Sequence, residues 1–340
     1  MAQALTETSL RKNLTPLAAL EARGPEYSTS PGPGSYATLP IGFAVQINLA
    51  NIPTNKNKQS STLPPAFIVV ALRGTRSWDE WIDDADVPPA LYTAFDNFGY
   101  VEGPPFAFVH SGLYGLYANS AENSVTPSIA AQIATFMKMP TNAGLPVYVI
   151  GHSLGGALAT YCALDIAAHY PTYVAATNVP NPYQPPDCGL FHKPPECWYN
   201  PKLTLPNVSM YSLASPRAAM GFGVPFATQA GLPLACPTDN FICLYRSFVP
   251  YSFQIVNACD IIPILPPTTI VDTSSLTFNA AQITDDTALI PAAPNLKNNV
   301  ISFCVQTGDI GGNHACQTIY LPYLAWLANQ WWLGKTTSSS

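Results

Sequence analysis

The sequence predicts an α/β fold: a mostly parallel central sheet with helices on both faces and one sharp strand-to-helix turn. Three observations carry this. Val147-Tyr-Val-Ile150 is a short apolar run, followed by Gly151-His-Ser-Leu-Gly155 and then by helix formers with apolar spacing from Leu154 to His169. Strand, tight turn and helix in that order make a nucleophile elbow. Ala66-Phe-Ile-Val-Val-Ala-Leu72 is a second continuous apolar run, the signature of a strand buried on both faces. A strand at 106–114, a helix at Val125 to Met139 and then the elbow strand read as a β-α-β crossover, which implies parallel strands.

Composition narrows the partners. Of 340 residues 48% are hydrophobic and only 10% charged, with a net charge of −6 and a pI near 5.2. That balance gives no electrostatic case for nucleic acid or an anionic membrane. An apolar-leaning, weakly charged surface suits neutral lipid or polymer. No run of 18 apolar residues predicts a membrane span. Eight cysteines (162, 188, 197, 236, 243, 259, 304, 316) lean towards export, although Met1 to Gly34 lacks the basic head and apolar core of a signal peptide. Cys188 with Cys197 and Cys236 with Cys243 are candidates for short disulfides, and Cys162 reads as a buried thiol.

In chain order, residues 1–40 read as an N-terminal arm with a short helix at Leu10 to Arg23 and a Pro/Gly/Ser stretch at Ser28 to Tyr36. A single domain, 41–335, follows, with insertions near 179–206 and 274–299, and 336–340 is a tail. Phe43 to Leu49 is the first predicted strand. Ala66 to Leu72 delivers the chain to Arg73-Gly-Thr75. Ser77 to Ala85 reads as a short helix with Trp78, Trp81 and Ile82 on one side, either an ordinary surface helix or a lid over the site. After the Pro-rich insertion, Val208 to Ala214 returns as a core strand. Phe241 to Pro250 and Tyr251 to Ala258 are further strands, the latter ending at Asp260. Val300 to Val305 is a short strand leading to a glycine-rich loop, Gly308 to His314, and Gln317 to Leu333 closes the chain as an aromatic-rich helix.

The elbow presents Ser153 at the sheet's C-terminal edge, where a helix N-terminus favours developing negative charge. A serine nucleophile needs a base, and the base needs an acid to orient it. Of the histidines, His152 sits inside the elbow pointing elsewhere, His169 ends a helix and His192 lies in the insertion. His110, after an early strand, is the rival to His314, which follows the last strand. Asp260 lies 107 residues after Ser153 (260 − 153) and 54 before His314 (314 − 260), the chain order Ser, Asp, His of one major serine hydrolase architecture. Asp165 lies inside the elbow helix, Asp239 in a Cys/Pro loop, and Asp309 shapes the loop before His314. Backbone N–H of Leu154, with the N–H and hydroxyl of Thr75, are the expected oxyanion donors. No metal-ligand spacing, phosphate loop or dinucleotide fingerprint is present, so no cofactor is expected.

These motifs together resemble the class 3, fungal-type triacylglycerol lipase family of the α/β-hydrolase superfamily. The likeness runs from about Ala66 to Tyr320. It takes in Leu72-Arg-Gly-Thr-Arg-Ser-Trp with Trp81 and Asp84, Val109-His-Ser-Gly-Leu, the elbow through Ala159, Ser215-Pro-Arg217, Asp260 with its Pro-Pro, and His314 with Tyr320. The resemblance implies an α/β-hydrolase fold, a triad of Ser153, Asp260 and His314, and Thr75 as the oxyanion residue. It also implies a lid formed by Ser77, Trp78, Asp79, Glu80, Trp81, Ile82 and Asp83, with Asp84 supporting Thr75. The implied activity is hydrolysis of acylglycerols at an oil–water interface. A carboxylesterase, feruloyl or polyester esterase on the same scaffold is the alternative, and a non-catalytic lipid-binding protein a more distant one. The insertions occupy the positions of substrate-binding loops, so chain-length preference does not transfer.

Overall fold

The computed structural model describes residues 14–25, 36–48, 66–75, 89–92, 108–118, 127–176, 208–222, 241–249, 251–266, 269–271, 277–281 and 300–332. Within them the strands are β1 (Leu14–Pro25), β2 (Tyr36–Asn48), β3 (Ala66–Leu72), β4 (Pro89–Leu91), β5 (Phe108–His110) and β6 (Val147–His152). The rest are β7 (Val208–Leu213), β8 (Ala219–Phe222), β9 (Tyr251–Asn257), β10 (Thr269–Val271), β11 (Thr277–Ala281) and β12 (Val300–Phe303). The helices are α1 (Ser111–Ala118), α2 (Ile129–Met137), α3 (Leu154–Ala176), α4 (Phe241–Phe248), α5 (Ile310–His314) and α6 (Leu321–Trp332).

A seven-stranded sheet in the order β1-β2-β3-β6-β7-β9-β12 forms the centre. Its last five strands are all parallel, while β1 and β2 add an antiparallel edge. Parallel strands require crossovers, and α3 makes the one from β6 to β7 after the elbow. Ile68, Val70, Leu72, Val147, Val149, Val208 and Met210 point to one face and are buried beneath α1, α2 and α3. Helix α6 packs on the opposite face, where Tyr323 and Leu324 join Ile150, Leu213, Ile255 and Ile301. Helices therefore lie on both faces of a mostly parallel sheet. No helix among the described residues is long and apolar enough to cross a membrane.

Several expectations change. The segment expected as a helix at Leu10 to Arg23 is described from Leu14 onward, and it is β1. Pro16 would break a helix, whereas on an edge strand it sits at a register shift between Pro16 and Ala18. Pairing with β2, which starts at Tyr36 rather than Phe43, overrides the helix preference of its alanines and leucines. β3 alternates buried and half-buried residues instead of burying both faces. Its half-buried row carries Phe67 against Tyr148, edge to face at 5.2 Å, and the same face has Tyr211 stacked on Phe253 at 5.0 Å.

The expected β-α-β unit is also rearranged. β5 does not join the central sheet but pairs antiparallel with β4 and β8 in a second sheet, ordered β10-β11-β8-β5-β4. The strand beside β6 on that side is β3. Ser111 to Tyr114, expected to extend the strand, instead opens α1. Phe241 to Phe248, expected as a strand, is α4. Its buried residues Phe241, Ile242, Tyr245 and Val249 follow helical rather than alternate spacing. The insertion expected at 274–299 contains β11, which belongs to the second sheet. The closing helix starts later than expected, at Leu321, after a π-turn at Cys316–Tyr320. The insertion at 179–206, Cys188, Cys197, Cys236, His192 and Asp239 lie outside the described residues.

Helix α3 runs past His169, which sits in its interior. The His169 ring meets the Asp165 carboxylate at 2.8 Å, and Asp165 Oδ2 also accepts from the Tyr117 hydroxyl at 2.8 Å. Burial pushes the Tyr117 phenol and the Cys162 thiol well up, so both stay protonated.

The tightest packing surrounds the elbow. A Cβ on Gly155 would lie 2.3 Å from the Leu72 carbonyl oxygen and 2.5 Å from that of Arg73. These are backbone atoms and do not swing away. Gly155→Ala is therefore expected to cost about 3 kcal/mol, read as a lower thermal midpoint. A change under about 0.5 kcal/mol would contradict the close approach of α3 to β3.

Candidate active site

Three strand ends of the central sheet converge on the elbow. Gly151, the next-to-last residue of β6, has room for no side chain, because a Cβ there would sit 1.9 Å from the Gly155 carbonyl oxygen. Ser153 follows in the left-handed region at φ 57°, a conformation that costs a non-glycine residue of order 1 kcal/mol and is held by its surroundings. Its N–H donates to the Leu213 carbonyl at 2.9 Å, and its own carbonyl accepts from Gly156 N–H at 2.8 Å. Ser153 is nearly buried. α3 starts at the next residue, Leu154, so the Leu154 amide belongs to the first turn, where N–H groups have no intrahelical partner.

The end of β3 closes over this turn. A Cβ on Gly74 would lie 2.8 Å from the Ser153 Cβ and from the His152 carbonyl oxygen. Arg73 fixes the approach, donating from Nε to the Pro40 carbonyl at 2.5 Å and from Nη1 to the Gly74 carbonyl at 2.7 Å. Thr75 follows, its Oγ1 buried with no hydrogen-bond partner. The expected lid, Ser77 to Asp83, and its neighbour Asp84 lie outside the described residues.

Asp260 stands one tight turn beyond β9. Its Oδ2 accepts from His314 Nδ1 at 2.7 Å and from the Tyr320 hydroxyl at 2.7 Å, and Oδ1 accepts from Ile262 N–H at 3.0 Å. Three donors thus satisfy the acceptor oxygens of a fully buried side chain. Tyr320 is the pivot, since its oxygen also accepts from Asn257 N–H at 3.0 Å. Burial, first of all, pushes the Tyr320 phenol well up, so it remains a donor.

With Nδ1 committed to Asp260, His314 has Nε2 as its free ring nitrogen, and that atom is buried without a partner. The residue ends α5, a single helical turn rather than the expected open loop. Asp309 caps this turn, accepting from Gly312 N–H at 2.5 Å. His110, the rival base, sits at the end of β5 in the other sheet. The structure thus joins Asp260 to His314 and places Ser153, Leu154 and Thr75 around one elbow.

Sequence reasoning undervalued three residues. His152 does not point elsewhere. Its Nε2–H donates to the His314 carbonyl at 2.9 Å, and the two ring centres lie 4.7 Å apart with the planes tilted by 38°. Burial, and secondarily the charge of His314, lower the His152 pKa to about 4, so its ring is neutral at pH 7. Asn257 donates its side-chain amide to the carbonyls of Val305 and Asn313 at 2.8 and 3.0 Å. Asn313 in turn donates to the Cys259 carbonyl at 3.0 Å. These amides clasp the acid turn to the base turn. Polar side chains closing an apolar strand or flanking a candidate base were the only available signal.

The family model described as lipase (class 3) matches residues 69–185. Phospholipase A1-II 7 of Oryza sativa subsp. indica is 28% identical over 212 residues, covering 60% of this chain and 42% of that protein. Phospholipase A1-IIgamma of Arabidopsis thaliana is 26% identical over 147 residues, covering 40% of this chain and 34% of that protein. The chain spans less than half the length of these curated relatives. Among solved structures, the Lip2 lipase of Yarrowia lipolytica is 15% identical with a TM-score of 0.35, covering 79% of this chain and 77% of that one.

The neutral His152 has a pH consequence. Its folded pKa lies below the ordinary 6.5, so the unfolded chain binds the proton more readily. The stability this group contributes is present above about pH 6.5 and is lost as pH falls towards 4, amounting to about 3 kcal/mol. His152→Gln, whose amide can also donate to the His314 carbonyl, is expected to flatten the fall in denaturation midpoint between those pH values. A variant curve parallel to the parent's would contradict the buried, neutral ring.

Proposed function

The chain belongs to the class 3 lipase family, and on that premise we propose that it is a serine carboxylic ester hydrolase that cleaves acylglycerols. The observation that supports this most is the Asp260–His314 pair, whose 2.7 Å bond leaves His314 Nε2 uncommitted in the active-site region of the strained Ser153 turn. In this reading His314 Nε2 takes the proton of Ser153 Oγ as that oxygen attacks the ester carbonyl. Asp260 holds the ring in the tautomer that makes this possible and stabilises the imidazolium. The tetrahedral oxyanion is received by the Leu154 N–H and by the N–H and hydroxyl of Thr75. The unpartnered, buried Oγ1 of Thr75 suits that role. His314 then protonates the leaving alcohol, and water repeats the sequence to free the acid.

The lid at Ser77 to Asp83, with Trp78 and Trp81 on its apolar side, and the support of Thr75 by Asp84 remain part of this reading. A second reading is that the scissile ester belongs to a phospholipid, which the names of the curated relatives favour. Both readings use the same nucleophile and differ in what the loops beyond the elbow accept.

Ser153→Ala is expected to lower turnover more than about 10⁴-fold while the thermal midpoint stays within a few degrees, and to abolish labelling by a fluorophosphonate. Retained turnover or labelling would overturn the assignment of Ser153. Initial rates on a short-chain triglyceride, followed across its solubility limit, test the lid. A jump as droplets form supports lid-gated lipase action, and a smooth saturating curve supports an esterase with an open site. Faster hydrolysis of phosphatidylcholine vesicles than of the triglyceride supports the second reading.

A further inference from the structure

Cys259 and Cys304 lie outside the machinery described so far, yet both are placed beside it. Cys259 immediately precedes Asp260, and Cys304 immediately follows β12, the strand that leads towards the His314 turn. The parallel register sets Asn257 opposite Phe303, and Ala258 N–H donates to the Phe303 carbonyl at 2.7 Å. The backbones thus leave the sheet side by side and deliver one cysteine each at the same level. Their Sγ atoms are 2.8 Å apart, both as free thiols. Cys304 is exposed and Cys259 partly so, whereas Cys162 is buried within α3. The sequence reading had assigned these two cysteines no partner.

We propose that Cys259 and Cys304 are a disulfide site, closed by a small-molecule disulfide of the glutathione type, that ties the Asp260 turn to the end of β12. The Cys304 thiolate, the more exposed, attacks one sulfur of the small disulfide RS–SR, forming a mixed disulfide and expelling RS⁻. The Cys259 thiolate then attacks the Cys304 sulfur, forming the protein disulfide and expelling the second RS⁻. The two protons released by the cysteines end on the two RS⁻ groups. One small disulfide is reduced to two thiols as two cysteines are oxidised to one bridge. The bridge closes a loop of 45 residues, and it reinforces covalently the link between the Asp260 turn and the segment after β12 that Asn257 already makes to Val305 through hydrogen bonds. Its importance for turnover rests on the role proposed for Asp260, but its formation does not.

The full chain would be incubated with oxidised glutathione, alkylated and mapped by mass spectrometry, in parallel with Cys304→Ser and Cys316→Ser. The expected result is a peptide cross-linked between Cys259 and Cys304, retained in Cys316→Ser, absent in Cys304→Ser and reopened by dithiothreitol. Reduction should lower the thermal midpoint of the oxidised parent by roughly 5 °C and leave that of Cys304→Ser unmoved. Full alkylation of both cysteines after oxidation, a lasting glutathione adduct on Cys304, or a bridge from Cys304 to Cys316 would overturn the proposal. Neither readout involves ester hydrolysis, so failure here and failure of the functional reading are separable.

Discussion

Everything near the site depends on how closely three backbones approach one another. β3, β6 and the start of α3 meet at Gly74, Gly151 and Gly155, and at each a single added carbon would overlap atoms of a neighbouring segment. The reason is topological. A strand that must turn into a helix within two residues, while a neighbouring parallel strand ends beside it, leaves no volume for side chains at the crossing. The same crowding holds Ser153 at positive φ, since the Leu213 carbonyl fixes its N–H and the turn to Gly156 fixes its carbonyl. Local strain is thereby sustained by the packing of the whole sheet.

A second constraint acts on charge. A fully buried carboxylate is costly unless donors surround it, and Asp260 has three, from His314, Tyr320 and Ile262. Because each comes from a different turn, satisfying the carboxylate also aligns the elements that carry the donors. His152 contributes without charge: burial keeps its ring neutral, so it offers a hydrogen bond to the His314 backbone and little repulsion to a protonated His314. Orientation of His314 is therefore shared between Asp260 at its ring and a neutral His152 at its backbone.

Much of this was legible in the residues. The apolar run from Ala66 to Leu72 coincides with β3, and Val147-Tyr-Val-Ile150 with the start of β6, since short continuous apolar runs that each follow a proline have few alternatives. The Asp260–His314 pairing was readable because chain order and strand ends restrict where an acidic partner for that histidine can stand. Less readable was anything decided by a partner strand. Leu14–Pro25 has helix-forming composition but is held by β2, and β5 looked like a core strand until pairing with β8 drew it into the second sheet. For α4 the error was one of period, since a short apolar segment satisfies both alternate and helical spacing. The amide clasp of Asn257 and Asn313 leaves no periodic trace at all.

The strand order carries a consequence for how such a site comes apart. Ser153 belongs to β6, inside the sheet with neighbours on both sides, whereas the chain reaches His314 from β12, at the sheet's margin among the described residues. Marginal strands open at lower free energy than central ones. Mild heat or denaturant should then detach the His314 turn while the Ser153 turn, braced by β3 and α3, is still native. If His314 acts as proposed, loss of function would precede loss of structure, and the early inactive state would be a nearly intact molecule with that histidine swung away.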